Sequence, residues 1–315
     1  MTAVASDSGL TTVVIVAADS GPLLASAVDS ALASSAPVEV VLVDNASTDG
    51  EPERVSAAHA QDARLRLLRH DRNIGFGPAC NRGAAVARGD AFVFLNPDCT
   101  LDPDAIVSLR RIASEDRAIG LLGVEVLNPD GKLARGNRRR EPTLRRALVA
   151  LTGLDRLQVR WPGLEGIEVR SASSSDGPSV EDVEAVSGAC LFVPRRVFEE
   201  TGGFDEAYFL HVEDLDLCRR VRDAGHRVAI AHAVHAVHAQ GSSSRHRPLF
   251  VAWHKHRGMW RYFRRYDRAA RMAPLRALVW LGIWGHFALT APLQLARRFT
   301  SAADGTRAGG ATRAT

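Results

Sequence analysis

Three short apolar runs constrain this chain more than any other feature: Thr11–Ala17 (TTVVIVA), Val38–Val43 (VEVVLV) and Ala91–Leu95 (AFVFL). Each is too short for a typical helix, rich in β-branched or aromatic residues, and almost free of polar alternation, the pattern of a strand covered on both faces. Such strands belong to parallel sheets, whose crossover connections lay helices over both faces. The sequence between them supplies those helices. Asp19-Ser20-Gly21-Pro22 makes a turn and a helix start ahead of a helix over Leu23–Leu32. A further strand over Leu65–Leu68 leads through the Gly-rich loop Asn73–Gly77 into a helix opened by Pro78 and running over Ala79–Arg88. Strand, helix, strand is a βαβ unit, and the expected fold class is α/β.

Open α/β sheets bind ligands beyond the carboxyl ends of their strands. Here those ends are polar: Asp44-Asn45-Ala46-Ser47-Thr48-Asp49-Gly50 follows one strand and Asn96-Pro97-Asp98 another. Acids and amides there offer hard oxygen ligands to Mg²⁺ or Mn²⁺, which in turn can hold a diphosphate. Taken alone, Asn-Pro-Asp is equally a plain turn. The run GFGPAC has G-x-G without a third glycine and follows the third strand instead of the first, which argues against a dinucleotide fingerprint.

In the second half, Pro103–Ser114 reads as a helix and Ile119–Leu127 as a strand, closed by the Asn128–Gly131 turn. From Lys132 to Pro178 the pattern gives way to basic and Gly/Pro/Ser-rich sequence, expected to be a loop insertion with one short helix around Thr143–Leu151. Val183–Pro194 restores strand character. Its small residues Ser187, Gly188 and Ala189 mark a place where something approaches the backbone closely. Glu213, Asp214 and Asp216 then open a helix running to about Ala224, with Arg219, Arg220 and Arg222 near its end. Acids early and arginines late suit the helix dipole, so a structural reading of the acids stands beside a catalytic one. In the alternating stretch Ala229–Ala239, His232, His235 and His238 are spaced by three, so at most two share a face of a regular strand.

The charge is local. A net charge of +4 and a pI near 9.2 arise with seven arginines between Arg257 and Arg276, directly before the apolar run Ala277–Ala296. That arrangement suits anionic lipid and not a nucleic-acid groove. The apolar run is about the length of a bilayer span, but His286 and Pro292 and basic residues on both flanks favour a helix lying in the membrane plane; a core helix is the other reading. The N-terminus shows no signal-peptide pattern, and Cys80, Cys99, Cys190 and Cys218 form no Cys-x-x-Cys pair, as expected of reduced thiols in the cytosol.

Three blocks in order carry a resemblance: VEVVLVDNASTDG, then RNIGFGPACNRGAAVARGDAFVFLNPDC, then VSGACLFVPRRVFEETGGFDEAYFLHVEDLDLCRRVRDAGHRV. Over roughly Thr11–Ser244 the chain resembles the family-2 inverting glycosyltransferases, and among them the rhamnosyltransferase-like members. The resemblance implies a GT-A fold, a Rossmann-like nucleotide-binding α/β/α sandwich. Residues 11–131 would be the nucleotide-sugar half, 132–179 a variable insertion and 180–244 the acceptor and catalytic half. Residues 245–300 would form basic-aromatic helices with a membrane-associating segment, between a flexible 1–10 and a disordered 301–315.

The resemblance places Asp44 on the nucleotide base or ribose, with Asn45 and Ser47 shaping that loop and Asn73 and Asn81 along the donor. Asn96-Pro97-Asp98 takes the place of the Asp-x-Asp motif, with Asp98 as the metal-side carboxylate and His238 near the metal or diphosphate. Glu213-Asp214 falls on the family's Glu-Asp motif, Asp214 as general base. Where the family usually has an aromatic-Asn pair after the first strand, this chain has Ala17-Ala18-Asp19. The implied reaction moves a sugar, with L-rhamnose from dTDP-rhamnose the leading choice, onto a hydroxyl of a lipid-linked or polysaccharide acceptor in cell-surface polysaccharide synthesis. It implies Mg²⁺ or Mn²⁺ as cofactor and peripheral or monotopic attachment at the inner face of the cytoplasmic membrane. The alternatives differ in sequence terms: a nucleotidyltransferase would show a Gly-rich, Arg/Lys-bearing loop where this chain reads ADSGPLL, and a silent scaffold would have lost Asp44, Asp98 or Asp214.

Overall fold

The computed structural model describes residues 7–158, 160–169, 179–239 and 247–308. The nucleotide half runs β1 (Asp7–Ala17), α1 (Leu23–Leu32), β2 (Val38–Asp44), α2 (Glu51–Ala58), β3 (Leu65–Arg69), α3 (Phe76–Val86), β4 (Gly89–Leu95), β5 (Cys99–Leu101), α4 (Ala105–Glu115) and β6 (Ile119–Leu127). The insertion holds β7 (Arg138–Arg139) and α5 (Leu144–Thr152), followed by 3-10 turns at Leu154–Leu157 and Pro162–Leu164. Then come β8 (Val180–Asp182), β9 (Ala185–Val186), β10 (Cys190–Pro194), α6 (Arg195–Glu200), α7 (Glu213–Asp223), β11 (Arg227–His238), α8 (Pro248–Tyr266), a 3-10 turn at Arg268–Arg271, and α9 (Ala273–Ala308).

The main sheet has the order β3-β2-β1-β4-β10-β6-β11, with β5 and β8 both pairing with β11. β1, β2, β3 and β4 are parallel, and β6 and β11 are parallel to each other. β10 lies antiparallel between β4 and β6, so the carboxyl ends of β4, β6 and β11 share one edge of the sheet with those of β1 and β2. Alternate residues of each strand feed two cores. Val13, Ile15 and Ala17 pack with α1 and α4 on one face, while Val14 and Val16 pack with α3, α6 and α7 on the other. Each such side chain removed from water contributes roughly 1.5–3 kcal/mol, which is why the uninterrupted apolar runs must become the central strands.

Several expectations are corrected. β1 begins at Asp7, because Asp7 pairs with Gly89 and the Gly9 amide donates to Asp90 at 2.9 Å, so the strand starts four residues before the Thr11 expected. α3 starts at Phe76, two residues before Pro78, which stands in the first turn where its missing N–H would have no helical partner. The stretch Val183–Pro194 is two strands broken at Ser187–Ala189, and β9 pairs with β7 in a separate small sheet. The insertion is therefore structured where it is described, and its helix lies one residue from the position expected. Helix continues to Ala308, covering the first part of a tail expected to be disordered. Among the described residues no helix is long and apolar enough to cross a membrane.

Candidate active site

The loops after β1, β2 and β3 are knitted together by their own side chains. Asp44, almost fully buried, accepts the Ser47 amide at 2.8 Å, which turns the chain sharply out of β2. Asn45 donates to Asn73 Oδ1 (3.0 Å) and to the Gly75 carbonyl (3.2 Å), and accepts from the Ile74 amide (2.9 Å). Its amide group thus fastens the glycine loop to β2. Gly75, at φ 97°, is needed there: a Cβ would stand 2.7 Å from the Phe209 carbonyl oxygen, which accepts the Phe76 amide at 2.8 Å. Asp19 takes the place of the missing aromatic-Asn pair in a different way, accepting from the Thr48 amide (2.6 Å) and hydroxyl (2.9 Å) and so bridging the first two loops.

Asn81 stands apart from these. The resemblance put it along the donor, but its amide is spent on the other half of the protein: Nδ2 donates to the Phe204 carbonyl (2.9 Å) and Glu206 (3.2 Å), and Oδ1 accepts the Phe204 amide (2.9 Å). It clamps the segment that leads into α7.

Asp98 and His238 come together through strand pairing. β5 runs antiparallel to the end of β11 with Cys99 opposite His238, and the Ala239 amide donates to the Asp98 carbonyl at 3.0 Å. The His238 Nε2 lies 3.0 Å from Asp98 Oδ1, and the candidate ligand atoms of Asp98, Cys99 and His238 all fall within 4.8 Å of one another. The carboxylate oxygen suits Mn²⁺ or Mg²⁺, and the added imidazole nitrogen favours Mn²⁺, the softer of the two. The Cys99 thiol does not, since it is fully buried and burial pushes its pKa well above the ordinary value. A register shift in β11 between Ala231 and His235 changes the fate of the other two histidines. His232 contacts Glu125 (2.8 Å) and Glu181 (3.1 Å), and His235 approaches Glu125 at 3.9 Å, away from the Asp98 pair.

At the start of α7, His211 and Val212 both adopt left-handed backbone conformations (φ 65° and 74°), a strained arrangement for a β-branched residue. Gly258 of α8 packs directly against them; a Cβ there would lie 3.1 Å from the Val212 side chain. The turn aims Asp214 at Gly188, whose amide donates to Asp214 Oδ2 at 3.0 Å, while the Leu215 amide donates to Oδ1 at 2.8 Å. A Cβ at position 188 would meet the Asp214 carboxylate at 3.0 Å, so the close approach expected at Ser187–Ala189 is made by this acid.

The same carboxylate oxygen is held by Arg139 of β7 in a short ion pair. Burial alone would raise Asp214, but the Arg139 charge and hydrogen bond hold its pKa below the usual carboxylate range. Glu213 goes the other way. It is buried, its Oε2 finds no partner among the described residues, and burial together with the Asp214 charge pushes it up to about 8. Adjacent carboxyls pushed apart in this manner divide roles: the environment favours the ionised form of Asp214 and the neutral form of Glu213. Asp216 belongs to the framework, fully buried and bonded to Arg220 (2.7 Å) and the Tyr266 hydroxyl (2.8 Å), joining α7 to α8. Sequence reasoning missed Arg139 altogether. The signal available was the run Arg138-Arg139-Arg140, whose members turn to three different acids, Glu125, Asp214 and Glu165.

The sequence profile of Glycosyl transferase family 2 matches residues 12–172. The chain belongs to glycosyl transferase family 2. An N-acetylglucosaminyl-diphospho-decaprenol L-rhamnosyltransferase of Mycobacterium tuberculosis (strain ATCC 25618 / H37Rv) is 32% identical over 252 residues, covering 73% of this chain and 79% of the relative. The rhamnosyltransferase WbbL of Escherichia coli (strain K12) is 24% identical over 217 residues, 62% of this chain and 76% of the relative. Among solved structures, the mannosyltransferase PcManGT of Pyrobaculum calidifontis, in complex with GDP-Man and Mn²⁺, superposes with a TM-score of 0.55 at 19% identity, covering 97% of this chain and 76% of the other. GalNAc-T7 with UDP, GalNAc and Mn²⁺ gives 0.56 at 17% identity, covering 81% and 47%. The fold is GT-A: Asp44 closes β2 and Asp98 follows β4, while Asp214 of α7 accepts the amide of Gly188, next to Ala189, whose carbonyl accepts the Asn96 amide. A cavity of about 450 Å³ opens within the insertion, lined by Arg135, Arg138, Arg156 and Glu168 among others.

Proposed function

We propose that this glycosyltransferase is an inverting enzyme that transfers L-rhamnose from dTDP-rhamnose to a hydroxyl of a lipid-linked acceptor in cell-surface polysaccharide synthesis. The observation that carries the transfer chemistry is Asp214, fastened by Arg139 and by the amide of Gly188, the residue before Ala189, whose carbonyl accepts the Asn96 amide at 2.9 Å. The choice of sugar and acceptor rests on the names of the relatives. As the acceptor oxygen bonds to the anomeric carbon and the bond to the diphosphate oxygen breaks, Asp214 takes the hydroxyl proton. Asp44 holds the base or ribose within the loop shaped by Asn45, Ser47 and Asn73, and Asn96 lies on the donor side. Asp98 and His238 hold a divalent metal, which when bound offsets charge on the departing nucleoside diphosphate. α8 and α9 attach the enzyme to the inner face of the cytoplasmic membrane, where a prenyl-diphosphate acceptor and cytosolic donor meet.

A thermal-shift screen of dTDP-, UDP- and GDP-sugars with Mn²⁺ tests this, because a ligand that binds the native state raises Tm by mass action. dTDP-rhamnose is expected to give the largest shift and to support transfer to a synthetic polyprenyl-diphosphate N-acetylglucosamine. A larger shift and turnover with a UDP- or GDP-sugar would replace the donor. Formation of a sugar nucleotide from nucleoside triphosphate and sugar phosphate would replace the reaction class.

A further inference from the structure

The insertion exposes five large apolar side chains within a short stretch: Leu148, Leu151, Leu154, Leu157 and Trp161. Leu151 is 73% exposed and Trp161 60%, too open for packing within the chain to explain them. Apart from Val107 and Val237, every other exposed large apolar side chain among the described residues lies on α8, at Met272 or on α9. Apolar exposure is thus confined to two segments, and exposed patches of this kind mark protein or membrane contacts.

One carboxylate joins the two segments. Asp267, between α8 and α9, accepts the Leu144 amide at the start of α5 (2.7 Å) and also caps the turn before α9 through the Ala269 amide (2.8 Å). α5 has a defined inner side, where Arg146 forms a two-pronged pair with Glu184 (2.6 and 2.7 Å) and Val149 is buried. Its outer side therefore presents Leu148 and Leu151 with Arg145. Among the described residues none of Arg145, Arg156 and Arg160 pairs with an acid, and the same holds for Arg268, Arg271 and Arg276 beside α9. Arg145 donates to the Gly163 carbonyl at 2.8 Å, which leaves its charge without a counter-ion among the described residues. Leucines and a tryptophan interleaved with arginines that have no acidic partner there are complementary to an anionic bilayer surface: the apolar groups enter the acyl boundary and the guanidiniums stay among the headgroups.

We propose that residues 144–161 form a second membrane-docking element, seated together with α9 on the surface of an anionic phospholipid bilayer. This rests on the membrane attachment proposed above and extends it from one anchor to two. β7 lies just before α5, so a docked insertion also holds Arg139 near the interface, on the side where a lipid-linked acceptor would arrive at Asp214.

The test is vesicle flotation of the full chain on phosphatidylcholine, with and without phosphatidylglycerol. A Leu151→Glu/Leu154→Glu/Trp161→Glu variant should keep the wild-type Tm and far-UV circular dichroism while its partition onto anionic vesicles falls roughly tenfold or more. Should that variant lose its fold, Arg145→Glu/Arg156→Glu/Arg160→Glu supplies the reading: it should lose binding to anionic vesicles and keep whatever binding neutral ones show. A folded apolar variant that floats like wild type overturns the second element and leaves α9 as the anchor. Wild-type protein that floats on neither composition overturns membrane attachment as a whole. A wild-type dimer that the apolar variant converts to monomer with vesicle binding intact would assign the patch to a second copy of the chain, and overturns the proposal as well.

Discussion

Asp214 and Glu213 show how neighbouring residues acquire opposite chemistry. Asp214→Asn is expected to keep the donor-induced Tm shift while transfer falls by roughly two orders of magnitude or more. Near-normal turnover would move the base elsewhere. Arg139 sets the ionisation of that base, and Glu213, His211 and Cys218 are the other titratable groups around it, with Lys255 acting on His211. Burial pushes His211 down to about 4, and Cys218 up to about 12, so neither carries charge near neutrality. With Arg139 in place, the Asp214 pKa is lowered, so the acid limb of kcat/KM should lie below the ordinary carboxylate range. Arg139→Gln should move that limb upward, and Arg139→Lys should restore it in part; an unmoved limb would leave Arg139 a merely structural partner. Glu213 gives the opposite sign in stability. Its folded pKa is raised, so its contribution is fully present below the unfolded value of 4.5 and is lost as pH rises to about 8. Across that window the Tm of Glu213→Gln should rise relative to wild type, which pH-dependent melting would check.

At the level of elements, short pairings do what long motifs do not. Three residues of β5 against the end of β11 place His238 on Asp98. Chelation is expected to abolish transfer, and His238→Ala to raise the Mn²⁺ concentration needed for half-maximal transfer while leaving the melting transition nearly unchanged. Full activity in excess chelator, with Asp98→Ala also active, would remove the metal from the reaction. α7 and α8 are locked by Asp216, and because that acid is fully buried, Asp216→Ala should cost about 3 kcal/mol or more by leaving Arg220 and Tyr266 without their partner. Denaturant unfolding would measure it. The lock matters for the site because α8 also supports the strained His211-Val212 turn through Gly258.

For the whole molecule, the C-terminal helices form a unit through rings: Trp253 against Trp284 with centroids 4.6 Å apart, and His256 bonded to His286 at 3.0 Å. α9 has few contacts beyond α8 and the turn before it, so its outer side, with Leu278, Leu281 and Leu289, stays exposed. Removing residues 274–315 should release folded protein into the soluble fraction of cell lysates. Donor binding should survive, and activity on a lipid-linked acceptor should fall much further. A truncated protein that remains with membranes would show that residues 144–161 hold the chain there without α9.

The strands, most of the helices and the polar strand ends were legible from local pattern, because hydrophobic periodicity and turn chemistry act between residues close in the chain. α1 and β6 occupy the spans read from the pattern, and Asp44 and Asp98 stand at and just beyond the ends of strands whose apolar runs already required burial. Tertiary structure alone decided the partners. Arg139 reaches Asp214 across the β7–β9 pairing, a bulge in β11 separates His238 from His232, and Asn81 turns from the donor side to hold Phe204. Those outcomes depend on charges and amides meeting across long stretches of chain, and no local period records which acid an arginine will find. The insertion is the sharpest case: its composition resembles a loop, and only the folded arrangement shows that its apolar residues stay exposed on and just beyond a helix whose first amide is tied to Asp267, just before α9.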